Sequence, residues 1–159
     1  MPPAWVPWAA VVVASAFAAV SLAWALGSTV GLDTLGGTVE RLGREHDPAL
    51  LAANAVALVL KVLGAVLALA LVQPWGHRLP RRLLLTLGWV GTAVLVLYGV
   101  LQMTSVALVA AGVVVPSEPV THRVLMWRLL LWEPWFLVWG LLLGGATLRF
   151  QRLPTLAHT

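Results

Sequence analysis

Polar residues divide the chain into four long apolar runs. The hydrophobic pattern predicts helices over about 5–26, 49–72, 83–108 and 124–148, and each has roughly the 20 residues that a helix needs to cross a bilayer. The third run continues without a charge from Leu83 to Val115, which is roughly 50 Å of helix and too long for one perpendicular span. We therefore expect it to tilt, or to break near Thr104 and Ser105 with the remainder at the membrane surface before Pro116.

Composition places these runs in a membrane. Of the 159 residues, 60% are hydrophobic and 10% are charged, and the mean hydropathy is +0.93, whereas a soluble domain has roughly 25% charged residues. The ten Lys and Arg exceed the six Asp and Glu, but they lie at the ends of apolar runs and form no stripe that would bind nucleic acid. The chain has no cysteine, which excludes disulfide exchange and thiolate chemistry. Pattern and composition together predict an all-α protein, a single four-transmembrane-helix bundle over residues 1–159.

The connections between the runs indicate a helix start and a topology. Asp47 followed by Pro48 is typical of a helix start, because the Asp side chain accepts hydrogen bonds from free amides and Pro fits the first turn. Short cytoplasmic connections are enriched in Lys and Arg. One side of the predicted bundle holds Arg78, Arg81, Arg82, Arg149 and Arg152, and the other holds Arg41, Arg44 and Arg123, with Arg128 at its edge. The first side contains both termini, so we expect both termini to be cytoplasmic.

Two charged residues lie inside the apolar runs. Lys61 is about eleven residues into the second predicted helix and Glu133 about ten into the fourth, so that in this topology each lies roughly 15 Å below the outer boundary. A lone charge at such a depth costs at least about 2.5 to 3.5 kcal/mol, and intramembrane charges usually pair. We therefore expect Lys61 and Glu133 to be partners, directly or through water.

Further polar residues fall in the same outer half of the predicted bundle. Asn54 precedes Lys61 by two helical turns on the same face, Tyr98 and Gln102 share one face of the third helix, and Arg128 lies one turn above Glu133. These positions predict a ligand cavity open to the outer side. Its expected lining residues are Asn54, Lys61, Tyr98, Gln102, Arg128, Glu133, Trp132 and Trp135.

Pro134 is expected to distort the fourth helix beside this cavity. It has no N–H to donate to the carbonyl of Leu130, and it disfavours helical angles at Glu133. A kink is therefore expected here, with a free carbonyl that needs a polar neighbour or water.

Three tryptophans lie too deep for the aromatic belts at the membrane interfaces. Trp132, Trp135 and Trp139 follow Arg128 at four, seven and eleven residues and so form one stripe with it. Such a stripe packs helices, lines an apolar ligand site, or holds a cation by cation–π attraction. The sequence leaves these three interpretations open.

Three segments carry the most distinctive residues of the chain. They are SLAWALGST at the end of the first predicted helix, LKVLGAVLALALVQPWGHRLPRR in the second helix and its basic turn, and WRLLLWEPWFLVWGLL in the fourth. Together they resemble a family of small bacterial four-helix integral membrane proteins of unknown function, whose fourth-helix pattern is matched by Arg128, Glu133, Pro134 and Trp135. The resemblance implies a multi-pass protein of a bacterial plasma membrane and implies no activity.

Two classes of function fit these residues. In the first, the chain is a non-enzymatic membrane protein, a small transporter or accessory subunit, that binds a lipophilic or zwitterionic ligand in the cavity. In the second, it is a membrane-embedded enzyme of isomerase or cyclase type that uses Glu133 as the general acid on a lipid or isoprenoid substrate, with aromatic faces to stabilise a carbocation. A purely structural intramembrane ion pair that fixes helix register is a further alternative.

The expected partners follow from the same residues. Membrane lipids and a lipophilic small molecule are the predicted partners, and a homo-oligomer is compatible with the apolar surfaces. Glu45, His46 and Asp47 do not follow the spacing of metal ligands on one face, so this segment is interpreted as a solvated loop. No metal site and no cofactor is predicted.

Overall fold

Four long apolar helices form the body of the molecule. The computed structural model describes residues 2–116 and 119–153. The helices are α1 (Trp5–Ala25), α2 (Gly37–Arg44), α3 (Pro48–Ala70), α4 (Arg81–Ala110), α5 (His122–Trp127) and α6 (Glu133–Arg152). A π-helical turn, Arg128–Trp132, joins α5 to α6, so His122–Arg152 is one span, and with α1, α3 and α4 it makes four helices long and apolar enough to cross a membrane. The predicted all-α bundle of four membrane-spanning helices is confirmed.

The start of α3 agrees with its sequence signal. The Asp47 carboxylate accepts hydrogen bonds from the amides of Ala49 and Leu50, both at 3.0 Å. Pro48 occupies the first helical position, where no amide is needed. The entry of the chain into the second membrane span is therefore fixed by a local cap.

The predicted break in the third span is wrong. Helix α4 continues through Thr104 and Ser105 to Ala110. The Ser105 hydroxyl donates a hydrogen bond of 2.8 Å to the carbonyl of Leu101, so the helix itself satisfies this polar group without a break. The helix ends next to Gly112, whose φ of 74° is in the left-handed region that favours glycine.

The helices pack in the order α3, α1, α6, α4. Helix α1 contacts both α3 and α6, and α6 lies along α4, whereas α3 and α4 touch each other only sparsely. Glycines bring α4 and α6 close together: a Cβ added at Gly99 would lie 2.8 Å from the backbone nitrogen of Leu137, and one added at Gly140 would lie 3.0 Å from that of Val96. The bundle is thus tightly closed on three sides and open between α3 and α4.

The buried core has an aliphatic part and an aromatic part. The first is mainly aliphatic and includes Leu84 and Leu143, with Phe150 as its aromatic member near the C-terminal end of α6. The aromatic part surrounds Phe17, whose ring centroid lies 4.8 Å from that of Phe136 and 5.4 Å from that of Trp135, and it also contains Trp132 and Trp139. The deep tryptophans therefore pack helices, the first of the three roles that the sequence left open.

Candidate functional site

The site is built around the π-helical turn. The amide of Glu133 donates to the carbonyl of Arg128, five residues earlier, directly before Pro134, which has no amide to continue the regular ladder. Glu133 itself keeps helical angles, with φ −74° and ψ −42°. The expected departure of Glu133 from helical angles is therefore wrong, because the wider turn upstream accommodates the proline.

The turn creates an ion pair within the fourth span. Arg128 donates from Nε and Nη2 to Oε1 of Glu133, at 3.0 and 2.8 Å. Glu133 is 4% exposed, and the side chain of Arg128 is 31% exposed. In a regular α-helix, residues five apart point about 140° away from each other, so the π turn brings the two side chains onto neighbouring faces.

Lys61 has different partners from those predicted. Its Nζ donates a hydrogen bond of 2.6 Å to the Ser21 hydroxyl and lies 3.8 Å from the ring centroid of Phe17. Within residues 2–116 and 119–153, no carboxylate lies within ion-pairing distance of Lys61. The expected direct pair of Lys61 with Glu133 is wrong: both residues line one cavity, but Glu133 is paired with Arg128.

Ser21 is a residue of the candidate site that sequence reasoning missed. Besides Lys61, it engages Asn54, whose Nδ2 donates to the Ser21 carbonyl at 2.8 Å. Ser21 is fully buried and follows Phe17 by four residues, so both lie on the face of α1 that meets α3. A hydroxyl and an aromatic ring on one face of α1 thus meet the ammonium group of Lys61.

The polar residues line a cavity of about 510 Å³. Of the predicted lining residues, it contains Lys61, Tyr98, Gln102, Arg128, Trp132 and Glu133. Gly36, Val39, Pro116 and Val120 also line it, so it opens among the α1–α3 and α4–α5 connections. These connections are on the side predicted to be outside.

Two of the predicted lining residues lie elsewhere. Asn54 lines a neighbouring cavity of about 360 Å³ that also touches Tyr98. Trp135 points its indole N–H at the carbonyl of Val13, 3.2 Å away, in the aromatic core. Trp132, by contrast, donates at 2.9 Å to the Thr34 hydroxyl, which ties the cavity wall to the connection after α1.

An apolar groove runs from the cavity along the open side of the bundle. Its upper part, about 490 Å³, shares Lys61, Tyr98 and Phe136 with the cavity. Its lower part, about 420 Å³, shares Gly64, Leu67 and Gly91 with the upper part. The cavity and the space between α3 and α4 are therefore continuous through shared residues.

Fold and site together define an α-helical integral membrane protein with a charged cavity between its spans. The family described as protein of unknown function (DUF3995) matches residues 4–143. The chain belongs to this family. Comparison with curated proteins and with solved structures finds no match.

Proposed function

We propose that the chain binds a lipophilic or zwitterionic ligand in this cavity, as a small transporter or an accessory subunit of a membrane assembly. One observation carries the proposal: a single cavity contains the Arg128–Glu133 ion pair and the buried ammonium group of Lys61. Ionisable groups within membrane spans are costly, and they usually mark substrate or ion pathways. A ligand with a charged head group and an apolar body matches both the charges and the aromatic wall.

The contacts of Glu133 favour binding over catalysis. Both hydrogen bonds from Arg128 reach Oε1 of Glu133, which makes the carboxylate an ion-pair partner more than a general acid. The aromatic rings around Phe17 are engaged with one another and with Lys61. The Phe17 face that meets Lys61 is therefore already occupied by a cation.

The same contacts count against a purely structural ion pair. Arg128 and Glu133 belong to one span, so their pair does not connect two helices. Lys61 and Asn54 on α3 instead meet the hydroxyl and carbonyl of Ser21 on α1, and these contacts between spans do not involve Glu133. Fixing helix register therefore does not require the charge on Glu133.

The test compares ligand retention by wild type and Glu133→Gln. The amide keeps the shape of the side chain and removes its charge. The carboxylate holds Arg128 at the cavity through two charge-assisted hydrogen bonds. Without its charge, the amount of amphiphile that co-purifies in mild detergent should fall roughly tenfold or more, since a hydrogen bond to a charged group contributes about 1.5 to 3 kcal/mol. Mass spectrometry of the extracted protein measures the occupancy.

Glu40 provides a matched control. It also accepts from an arginine on its own helix, with Arg44 Nη2 at 2.9 Å, but it lies outside the cavity in a largely exposed pair. Glu40→Gln should retain wild-type occupancy. Equal retention by wild type and Glu133→Gln, with both correctly folded, would contradict the proposal and leave the charge without a role in binding.

A further inference from the structure

We infer that the cavity takes the anionic head group of an amphiphile, a phosphate or a carboxylate, and that the groove between α3 and α4 takes its hydrocarbon chain. The inference rests on the proposed function and narrows its ligand class, from a lipophilic or zwitterionic ligand to an amphiphile with an anionic head group. It also gives a lateral route of access from the bilayer.

The charges of the cavity favour an anion. Among its described lining residues, the charged side chains are Lys61, Arg128 and Glu133. Arg128 and Glu133 neutralise each other within hydrogen-bonding distance, whereas Lys61 is held by a hydroxyl and an aromatic ring. Among the lining residues that the structure describes, one positive charge is therefore left over. An ammonium group has three donors, so Lys61 has donors beyond the one that meets Ser21.

Neighbouring groups extend this anion site. Tyr98 and Gln102 stand one turn apart on α4 and line the cavity with Lys61. A phenolic hydroxyl and a side-chain amide both donate hydrogen bonds, so they suit the oxygens of a phosphate or a carboxylate. A zwitterionic head group would bring its own cation and leave the excess charge of the site uncompensated.

The groove has the shape expected of a binding site for a hydrocarbon chain. Its described lining is apolar below Lys61 and Tyr98, and it follows α3 from Ala57 to Ala70. Thirteen residue steps correspond to about 20 Å of helix, compared with roughly 15 Å for the hydrocarbon of one leaflet. Gly64 and Gly91 make the groove deeper, since they have no side chains to fill the space beside Trp139 and Leu143.

The cavity and the groove are continuous, and this determines where the head group and the hydrocarbon chain of the ligand lie. Lys61, Tyr98 and Phe136 line both the cavity and the groove, so a head group at Lys61 is directly above a chain in the groove. The groove is open because α3 and α4 touch only sparsely. A membrane amphiphile can thus reach the cavity sideways, without leaving the bilayer.

The experiment uses two lipids with the same acyl chains, phosphatidylglycerol and phosphatidylcholine, in equal amounts. The full-length protein is reconstituted in discs of this mixture and mildly extracted, and native mass spectrometry counts each lipid retained per protein. Both lipids carry a phosphate, but the choline cation of phosphatidylcholine is repelled by the positive charge of Lys61. Wild type should therefore prefer phosphatidylglycerol by roughly tenfold. Lys61→Gln should bring the ratio close to one.

A second pair of variants tests the groove. Val94 lines the groove and is 59% exposed, so Val94→Trp should fill it without disturbing the core. Val59, 57% exposed, lines neither part of the groove and provides the control Val59→Trp. Val94→Trp should reduce retention of both lipids to a third or less, as a roughly threefold effect is the least that blocked packing would produce. Val59→Trp should behave as wild type.

The outcomes separate this inference from the proposed function. The inference is overturned if wild type retains both lipids equally or prefers phosphatidylcholine. It is also overturned if Val94→Trp retains as much lipid as Val59→Trp. In either case the proposed function still stands as long as ligand retention depends on Glu133. Preference that survives Lys61→Gln overturns it as well. No retained amphiphile in wild type, with no effect of Glu133→Gln, defeats both.

Discussion

Two double-mutant cycles that share Glu133 test the assignment of its partner. The first combines Glu133→Gln with Arg128→Met, and the second combines Glu133→Gln with Lys61→Met. Each cycle isolates the energy that depends on both residues being present. The structure predicts coupling in the first cycle, because Arg128 donates two hydrogen bonds to Glu133, and almost none in the second.

The expected magnitudes follow from burial. Removing one partner of a fully buried pair costs about 3 to 5 kcal/mol. Glu133 is buried, but the Arg128 side chain is about one-third exposed to the cavity, so solvent reduces the loss for Arg128→Met to about 2 kcal/mol. The coupling between Arg128 and Glu133 should be about 1 to 2 kcal/mol. For Lys61 and Glu133 it should not exceed about 0.5 kcal/mol, the error within which separate sites add.

Reversible unfolding in mixed detergent provides the assay. The nine tryptophans of the chain include several in the aromatic core around Phe17, so their fluorescence should follow the loss of tertiary packing. The free energy of unfolding of each single and double variant then gives both cycles. A Lys61–Glu133 coupling equal to or larger than that of Arg128–Glu133 would refute the assignment and restore the partnership predicted from depth alone.

Two further predictions address topology and packing. Thr38→Cys, in an exposed position of α2, should react with an impermeant thiol reagent from outside the cell and Arg78→Cys, in the middle connection, should not; the reverse pattern would place the cavity on the cytoplasmic side. Gly99→Ala should destabilise by about 1 to 3 kcal/mol, measured by the same unfolding assay, since its Cβ would meet the backbone of α6. Gly91→Ala, which meets only a Leu143 methyl group at 3.2 Å, should cost less, and equal losses would argue against backbone contact between α4 and α6.

The membrane spans could be predicted because they depend only on the length of each apolar run in the sequence. A run such as Pro48–Ala70 has no alternative in lipid, where every backbone group must be satisfied within the helix. Its start was also predictable, since the Asp47 cap depends only on adjacent residues. The sequence left open whether the third span tilts or breaks near Ser105, because a serine hydroxyl that bonds within its own helix leaves no mark in the hydropathy pattern.

Which residues pair within the site was harder to predict than which residues line it. Counting residues gives depth, and the structure places Lys61 and Glu133, which the count put at one depth, on one cavity. Depth gives no direction around the helix axis. The regular period of about 3.6 residues separates Arg128 from Glu133, and only the π turn that accompanies Pro134 rotates them together. Ser21 was missed because a single hydroxyl in an apolar run has many neutral roles.

The π turn has a consequence for the alignment of this chain with other members of the family. A turn closed by a hydrogen bond from residue i+5 to residue i holds one residue more than a regular turn. It therefore changes the rotation of the following helix as an inserted residue would, although no residue is added to the chain. Arg128 and the helix before it are in one rotational phase, and the span from Glu133 onward is in another. Relatives with the same residues but a regular turn would therefore align without a gap and yet present the arginine to a different neighbour.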